Sequence, residues 1–222
     1  LLVLDLEKFR DDVYTVTNQL SSQLQKNDLP KLNYVRQRLI ELYQQNLVKI
    51  NHSVLELICA ANLVAKGFTV DVEKQLTNSL VCDVYAKKDN QVSIIEIETG
   101  FTPPEHALDT IDYYVSRIVS KIARYSKYCN DFSLATPVIG ILPFHRIFLN
   151  PPSLRPQNEI KKIKALCDQF YHNPPIEYDD ILNAKLNSIY LINIDKGFAK
   201  QIDPVSYYKI TASILEKSEI DL

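Results

Sequence analysis

The chain contains no methionine, no tryptophan and only four glycines in 222 residues. So few glycines leave no room for a phosphate-cradling loop. No dinucleotide fingerprint, P-loop or G-x-S-x-G elbow occurs, so no nucleotide cofactor is expected. Long apolar runs are also missing. Nothing approaches the roughly 20 residues of a membrane span, and Leu1-Leu2-Val3-Leu4 is interrupted at Asp5 and Glu7, unlike a signal peptide or anchor. The lack of methionine leads to the expectation that the sequence starts downstream of its translation start. Cys59, Cys82, Cys129 and Cys167 form no C-x-x-C pair and sit in apolar stretches, as reduced, buried thiols of an intracellular protein do. His52, His106, His145 and His172 lack zinc-type spacing. An excess of positive charge is absent too: 25 basic and 27 acidic residues give a net charge of −2. That balance excludes a surface coated for non-specific nucleic-acid binding but leaves room for a local basic patch.

What is present, 46% hydrophobic and 23% charged residues, suits one globular domain with an elaboration. A chain of this length buries roughly 70% of its unfolded surface and needs no covalent staples. Apolar positions at helical spacing predict two helices from Asp5 to about Ile50, broken near Asn27-Asp28-Leu29-Pro30. Each has one apolar face, which needs either the rest of the domain or a second copy of the chain to cover it. This extension, residues 1–50, is therefore a candidate dimer interface, with the main domain spanning 51–222. A third helix is expected from an Ser53 N-cap to Lys66, ending at Gly67. Alternating stretches then predict three strands: around Phe68–Glu73, Leu80–Ala86 and Val92–Thr99, the last two joined by a hairpin-like turn. A loop at Gly100–Pro104 leads to a helix from about Asp109 to Tyr128, although Thr102, Pro103 and Glu105 could start it earlier. Further strand is expected at 132–135, 138–142 and 189–194, and helix at 157–171 and 204–215. The sum is an α/β domain with a mixed sheet and a helical N-terminal extension.

Three carboxylates occupy positions that a covered sheet normally keeps apolar. Glu96 and Glu98 project from the same face of a strand, about 7 Å apart, while Ile95 and Ile97 face the core. Asp83 lies on the preceding strand, between Cys82 and Val84, and meets Glu96 if the hairpin register allows. Converging carboxylates repel and raise one another's pKa unless a cation sits among them. Hard ions such as Mg²⁺ favour an oxygen-only environment of this kind. A strand pair of acids can equally be a solvated face, and Glu56, flanked by apolar residues on the third helix, can be either an outer ligand or an exposed residue.

On the helix after the acids, residues 111, 115, 118, 119, 122 and 126 form the expected buried stripe. Arg117, Lys121 and Arg124 share an adjoining row, where like charges destabilise an isolated helix by about 0.2–0.5 kcal/mol per pair. No acidic residue after Asp112 relieves them. The row is suited to an external anion or to the acidic strands, with Tyr113, Tyr125 and Tyr128 at its border able to bond phosphate or stack on bases. The alternative is a wet helix face with snorkelling stems.

A helical Glu, a strand Asp, a Glu-x-Glu on the next strand and a basic helix resemble the PD-(D/E)xK nuclease superfamily over residues 52–142. More specifically, Glu96-Ile97-Glu98-Thr99-Gly100-Phe101, Pro103-Pro104-Glu105-His106-Ala107-Leu108-Asp109 and Lys121-Ile122-Ala123-Arg124-Tyr125-Ser126 look like a nuclease-like family of crenarchaea and their spindle-shaped fuselloviruses. The resemblance implies a restriction-endonuclease-like αβββαβ core. Asp83 matches the metal-binding acid of the "PD" strand, with Cys82 in the proline's place. Glu96 matches the first acid of E-x-K and Glu56 the helical acid. Glu98 stands where the pattern has lysine, and Lys121 is then the candidate, as in members that carry it on the following helix. The implied activity is Mg²⁺- or Mn²⁺-dependent DNA endonuclease action, structure- or junction-directed, by a homodimer in viral or archaeal DNA processing, in the host cytoplasm if the protein is viral. Asp83 and Glu96 would hold the metal, helped by the Ile97 carbonyl, with Glu98 as an additional metal ligand or a brace for Lys121. Lys121 would act on water or phosphate, and Arg117, Lys121, Arg124 and Tyr125 would contact DNA. The alternative is a catalytically inactive nuclease-fold protein that serves in nucleic-acid binding or assembly.

Overall fold

The computed structural model describes residues 2–217; Leu1 and residues 218–222, at the ends of the stretches read above, lie outside the described residues. Within them the chain is α/β, with seven α-helices and a six-stranded open sheet. Helices α1 (Leu2–Ser21), α2 (Leu29–Gln44) and α3 (Ile50–Ala65) come first, followed by strands β1 (Thr69–Thr77), β2 (Leu80–Lys88) and β3 (Gln91–Ile97). Helix α4 (Thr110–Tyr125) crosses over to β4 (Asp131–Pro137), and α5 (Gln157–Cys167) and α6 (Tyr178–Asn183) lead to β5 (Ser188–Asn193), β6 (Phe198–Ile202) and α7 (Pro204–Lys217). Strands lie in chain order. The β3–β4 and β4–β5 pairs are parallel and the rest antiparallel. Among the described residues no helix is long and apolar enough to cross a membrane.

The sheet separates two cores. On one side Val72, Val84, Ile95 and Ile97 pack with α1, α2 and α3; on the other Cys82, Ile94, Phe132 and Leu134 pack with α4 and α5. The apolar faces of the first two helices are consumed here. Phe9, Val13 and Leu20 of α1 and Leu32, Val35 and Leu39 of α2 are buried in the same core as α3. The surface expected to pair two copies is thus covered within one chain, and the argument for a dimer that rested on it falls away.

Both ends of α3 follow local chemistry, one of them not as expected. The helix starts a turn earlier than Ser53, whose buried hydroxyl caps nothing and has no partner. Its C-terminus closes on Gly67 at φ +88°, with Phe68 N–H donating to Leu63 O and Gly67 N–H to Val64 O. Asn46, at φ +59°, closes α2 in the same way.

Other departures have clear causes. Residues 138–142 form no strand: β4 ends at Pro137, which has no N–H to donate, and the turn leaves Ile139 94% exposed. Ile111 is half exposed instead of buried, because the α4 stripe enters the core only at Val115. Strand β6 and helix α6 are further elements, for which the sequence carries no clear periodic pattern.

Arg155 fastens the α5–α6 region without a carboxylate. Its buried guanidinium donates to the carbonyls of Ile147, Asn150, Ile181 and Leu182 at 2.8–3.1 Å. Arg155→Leu leaves four acceptors without their donor and is expected to cost about 2–3 kcal/mol, given the worth of charge-assisted bonds. Urea denaturation monitored by tyrosine fluorescence measures it.

Candidate active site: a carboxylate cluster closed by Lys121

The site arises where β2 and β3 part. Their register runs from Lys88–Gln91 to Val84–Ile95 and stops. Beyond it, side chains replace the missing ladder: Asp83 N–H donates to Glu96 Oε1 at 3.0 Å, and Ile97 N–H donates to Asp83 Oδ2 at 2.6 Å. The two acids are therefore fixed by backbone groups that an ordinary strand pair would satisfy with carbonyls. Glu98, just past β3, is anchored by its N–H to Ala135 O at 2.8 Å.

Lys121 closes the cluster from α4. Its ammonium donates to Ile97 O at 2.9 Å and lies 2.8 Å from Glu98 Oε1, 3.1 Å from Glu96 Oε2 and 3.5 Å from Asp83 Oδ2. Burial would lower the Lys121 pKa, but Asp83, Glu96 and Glu98 together hold it well above 10.5. Arg117 braces the far side, Nε donating to Glu98 Oε1 at 3.1 Å and Nη1 to Phe101 O at 2.8 Å. Of the two destinations open to the basic row, Lys121 and Arg117 take the acidic strands.

Arg124 does not join them. It donates to Pro174 O and lies over the Tyr171 ring. The Tyr125 hydroxyl donates to Val81 O at 2.7 Å, which ties α4 to β2.

On the other side of Asp83 lies a second grouping. One ligand atom from each of His52, Glu56, Glu73 and Asp83 falls within 4.8 Å of the others. His52 and Glu56 are four residues apart, so α3 presents them on one face; His52 Nε2 is 3.3 Å from Asp83 Oδ1. Glu73 lies between Val72 and Lys74, which face Val84 and Cys82, and its φ of +48° is strained for a residue with a side chain. Of the three acids expected to share a metal, only Asp83 belongs to this group; Glu96, Glu98 and the Ile97 carbonyl face Lys121.

The electrostatics separate the acids into one held as a carboxylate and others pushed toward their protonated forms. Burial would raise the Asp83 pKa, yet Lys121 and the His52 hydrogen bond hold it well below the usual carboxylate range. Glu96 is pushed up by burial and by the Asp83 charge, against the pull of Lys121. Burial lowers the His52 pKa, but Asp83 outweighs it and raises the imidazole above 6.5. Glu56 is pushed well above 4.5 by burial and by Asp83 and Glu73. Its carboxyl is fully buried, no N–H or hydroxyl group donates to it, and the side chain it meets at hydrogen-bond distance is the Glu73 carboxyl, with which it can share a proton. A buried carboxylate in that position needs a proton or a cation. The donor set, three carboxylates and an imidazole, fits Mg²⁺ or, with its nitrogen, better Mn²⁺.

Sequence reasoning missed His52 and Glu73. The His52-x-x-x-Glu56 spacing was a legible signal. Glu73 gave none, because it occupies a wet position in the strand alternation and joins the cluster only through its unusual backbone. Compared with known proteins, the chain gives no match to any protein-family model, to any curated protein or to any solved structure.

Proposed function

We propose that the chain is a metal-dependent DNA endonuclease that hydrolyses phosphodiester bonds, with a PD-(D/E)xK-like core formed by α3, β1–β3, α4 and β4. The observation that carries this reading is the position of Asp83, between a cation-seeking group on α3 and β1 and the Lys121 ammonium on α4. A divalent ion bound there would activate water and polarise a phosphoryl oxygen. His52, Glu56, Glu73 and Asp83 would hold it. Lys121 would place a fixed positive charge where the phosphate gains negative character, in a recessed site where that charge is poorly screened. Glu98 and Arg117 would keep Lys121 in position, Glu96 would fix the Asp83 backbone, and Tyr125 would secure the strand on which Asp83 sits. In this reading the partner is DNA, branched or otherwise structured, in viral or archaeal DNA processing inside the cell.

One observation favours a second reading. Lys121 is already engaged by four acceptors, and Glu98 stands in the place of the usual lysine. A chain so arranged could have kept the fold for nucleic-acid binding or assembly without turnover.

Linear, supercoiled and four-way-junction DNA incubated with Mg²⁺ or Mn²⁺ separates the two. The endonuclease reading expects divalent-dependent products that fall at least about 10³-fold in Asp83→Ala and persist in Arg124→Gln. No product on any substrate with either metal supports the inactive reading.

A further inference from the structure

We propose that the groove between α2 and β1 seats an unpaired strand of nucleic acid beside the carboxylate cluster; this deepens, and rests on, the phosphodiesterase reading of that cluster. The groove, of about 360 Å³, is bordered by Arg38, Leu42 and Leu47 from α2 and the turn after it, and by Glu73, Lys74 and Val81 from the first hairpin. Glu73 belongs to both the groove and the cation-seeking group. A molecule filling the groove therefore lies against the site where a phosphate would react.

The chemistry of the walls matches one nucleotide. Leu47 is 62% exposed and Val81 41% exposed. With the buried Leu42 behind them they offer apolar faces to a base, beside the polar and charged side chains of the other wall residues. Lys74 is neutralised by Asp71 at 3.3 Å, but Arg38 has no carboxylate within ion-pair distance among the described residues. A guanidinium with free donors beside an apolar face suits a phosphate and the base attached to it. The depth of the site points to a single strand. Glu56 is fully buried and Asp83 only 15% exposed. A double helix carries its phosphates on a stiff convex surface, whereas an unpaired strand can bend its backbone inward and turn a base into a cleft. Helix α2 and the turn after it thus supply one wall of the substrate path.

The test is fluorescence anisotropy of a labelled oligo-dT and of a blunt hairpin duplex with the same number of phosphates, in EDTA so that nothing turns over, across a salt series. The full chain is compared with Arg38→Gln and Leu47→Asp, both at solvent-accessible positions, with circular dichroism to confirm folding. The expected result is tighter binding of oligo-dT than of duplex. Each substitution should weaken oligo-dT binding by about fivefold or more, and Arg38→Gln should reduce its salt slope by about 0.7. Equal wild-type affinity for both probes, or an unchanged oligo-dT affinity and slope in Arg38→Gln, overturns the proposal. Oligo-dT binding that depends on Arg38 without DNA hydrolysis under any metal leaves the groove standing and removes the phosphodiesterase. Hydrolysis that depends on Asp83 but is indifferent to both groove substitutions does the reverse.

Discussion

Lys121→Met is expected to cost about 3–5 kcal/mol of folding stability, the range for removing one partner from a buried ion pair. The methionine fills the stem's volume but strands Asp83, Glu96 and Glu98 around the vacated ammonium position, with Arg117 as the remaining cation on Glu98. Ile97 O loses its donor as well. Lys121→Arg keeps the charge but forces a planar, longer group into a pocket shaped around one nitrogen, and should cost less. Urea denaturation measures both. Because the stranded carboxylates repel, the loss in Lys121→Met should shrink as pH falls and they take up protons. It should also shrink when Mn²⁺ is added, because a bound cation offsets part of the carboxylate repulsion. Under the proposed endonuclease function, DNA hydrolysis should be lost in both variants.

Glu56→Gln should act in the opposite direction on stability. Wild-type Glu56 is a fully buried carboxyl beside Asp83 and Glu73, and its hydrogen bond to the Glu73 carboxyl lasts only while the pair keeps a proton. The amide removes the charge and brings an NH₂ that can donate to those neighbours. In EDTA near pH 8 the variant should be more stable than wild type by about 1–3 kcal/mol. Its advantage should depend on pH with a definite sign. The folded chain holds the Glu56 proton above the ordinary 4.5, so between that value and the folded-state pKa it binds more protons than the unfolded chain. The contribution of this group to stability is therefore complete below about pH 4.5 and is lost as pH rises through the folded-state pKa. Glutamine cannot lose it, and the difference between variant and wild type should grow with pH. Divalent cation should cancel most of that advantage or invert the order. Wild type should gain about 2.7 kcal/mol at a concentration a hundredfold above its dissociation constant, and Glu56→Gln little. A variant that is more stable without metal and less responsive to it distinguishes a cation site from a structural defect.

The two stability predictions draw on different parts of what the sequence made legible. Helical and alternating periodicity placed α1, α2, α4, β1 and β2 close to their observed positions, because each buries one apolar face and so carries its period in the chain, whereas α3, β3 and β4, buried nearly all round or on both faces, were legible as apolar runs between turn residues. The meeting of Asp83, Glu96 and Lys121 followed from the hairpin and from α4 returning over the sheet. Other features depended on tertiary context. Strand β6 is short and mostly wet, so its alternation is weak. The covering of α1 and α2 by α3, instead of by a second copy, could not be read from amphipathic faces, which state the need for a partner but not its identity. Glu73 turns toward Asp83 only because its backbone enters the left-handed region, and no periodic pattern encodes that. The division of the acids, with Glu96 and Glu98 on Lys121 and Asp83 shared with His52 and Glu56, follows from the splaying of β2 from β3 beyond Val84 and Ile95.

Mn²⁺ binding to the full chain without nucleic acid, followed by the loss of the free-ion electron paramagnetic resonance signal, addresses the centre of this account. One site per chain is predicted, with affinity lower by about a hundredfold in both Asp83→Asn and Glu56→Gln and unchanged in Arg124→Gln. A wild-type chain that takes up no Mn²⁺, or one whose affinity survives both substitutions, would contradict it.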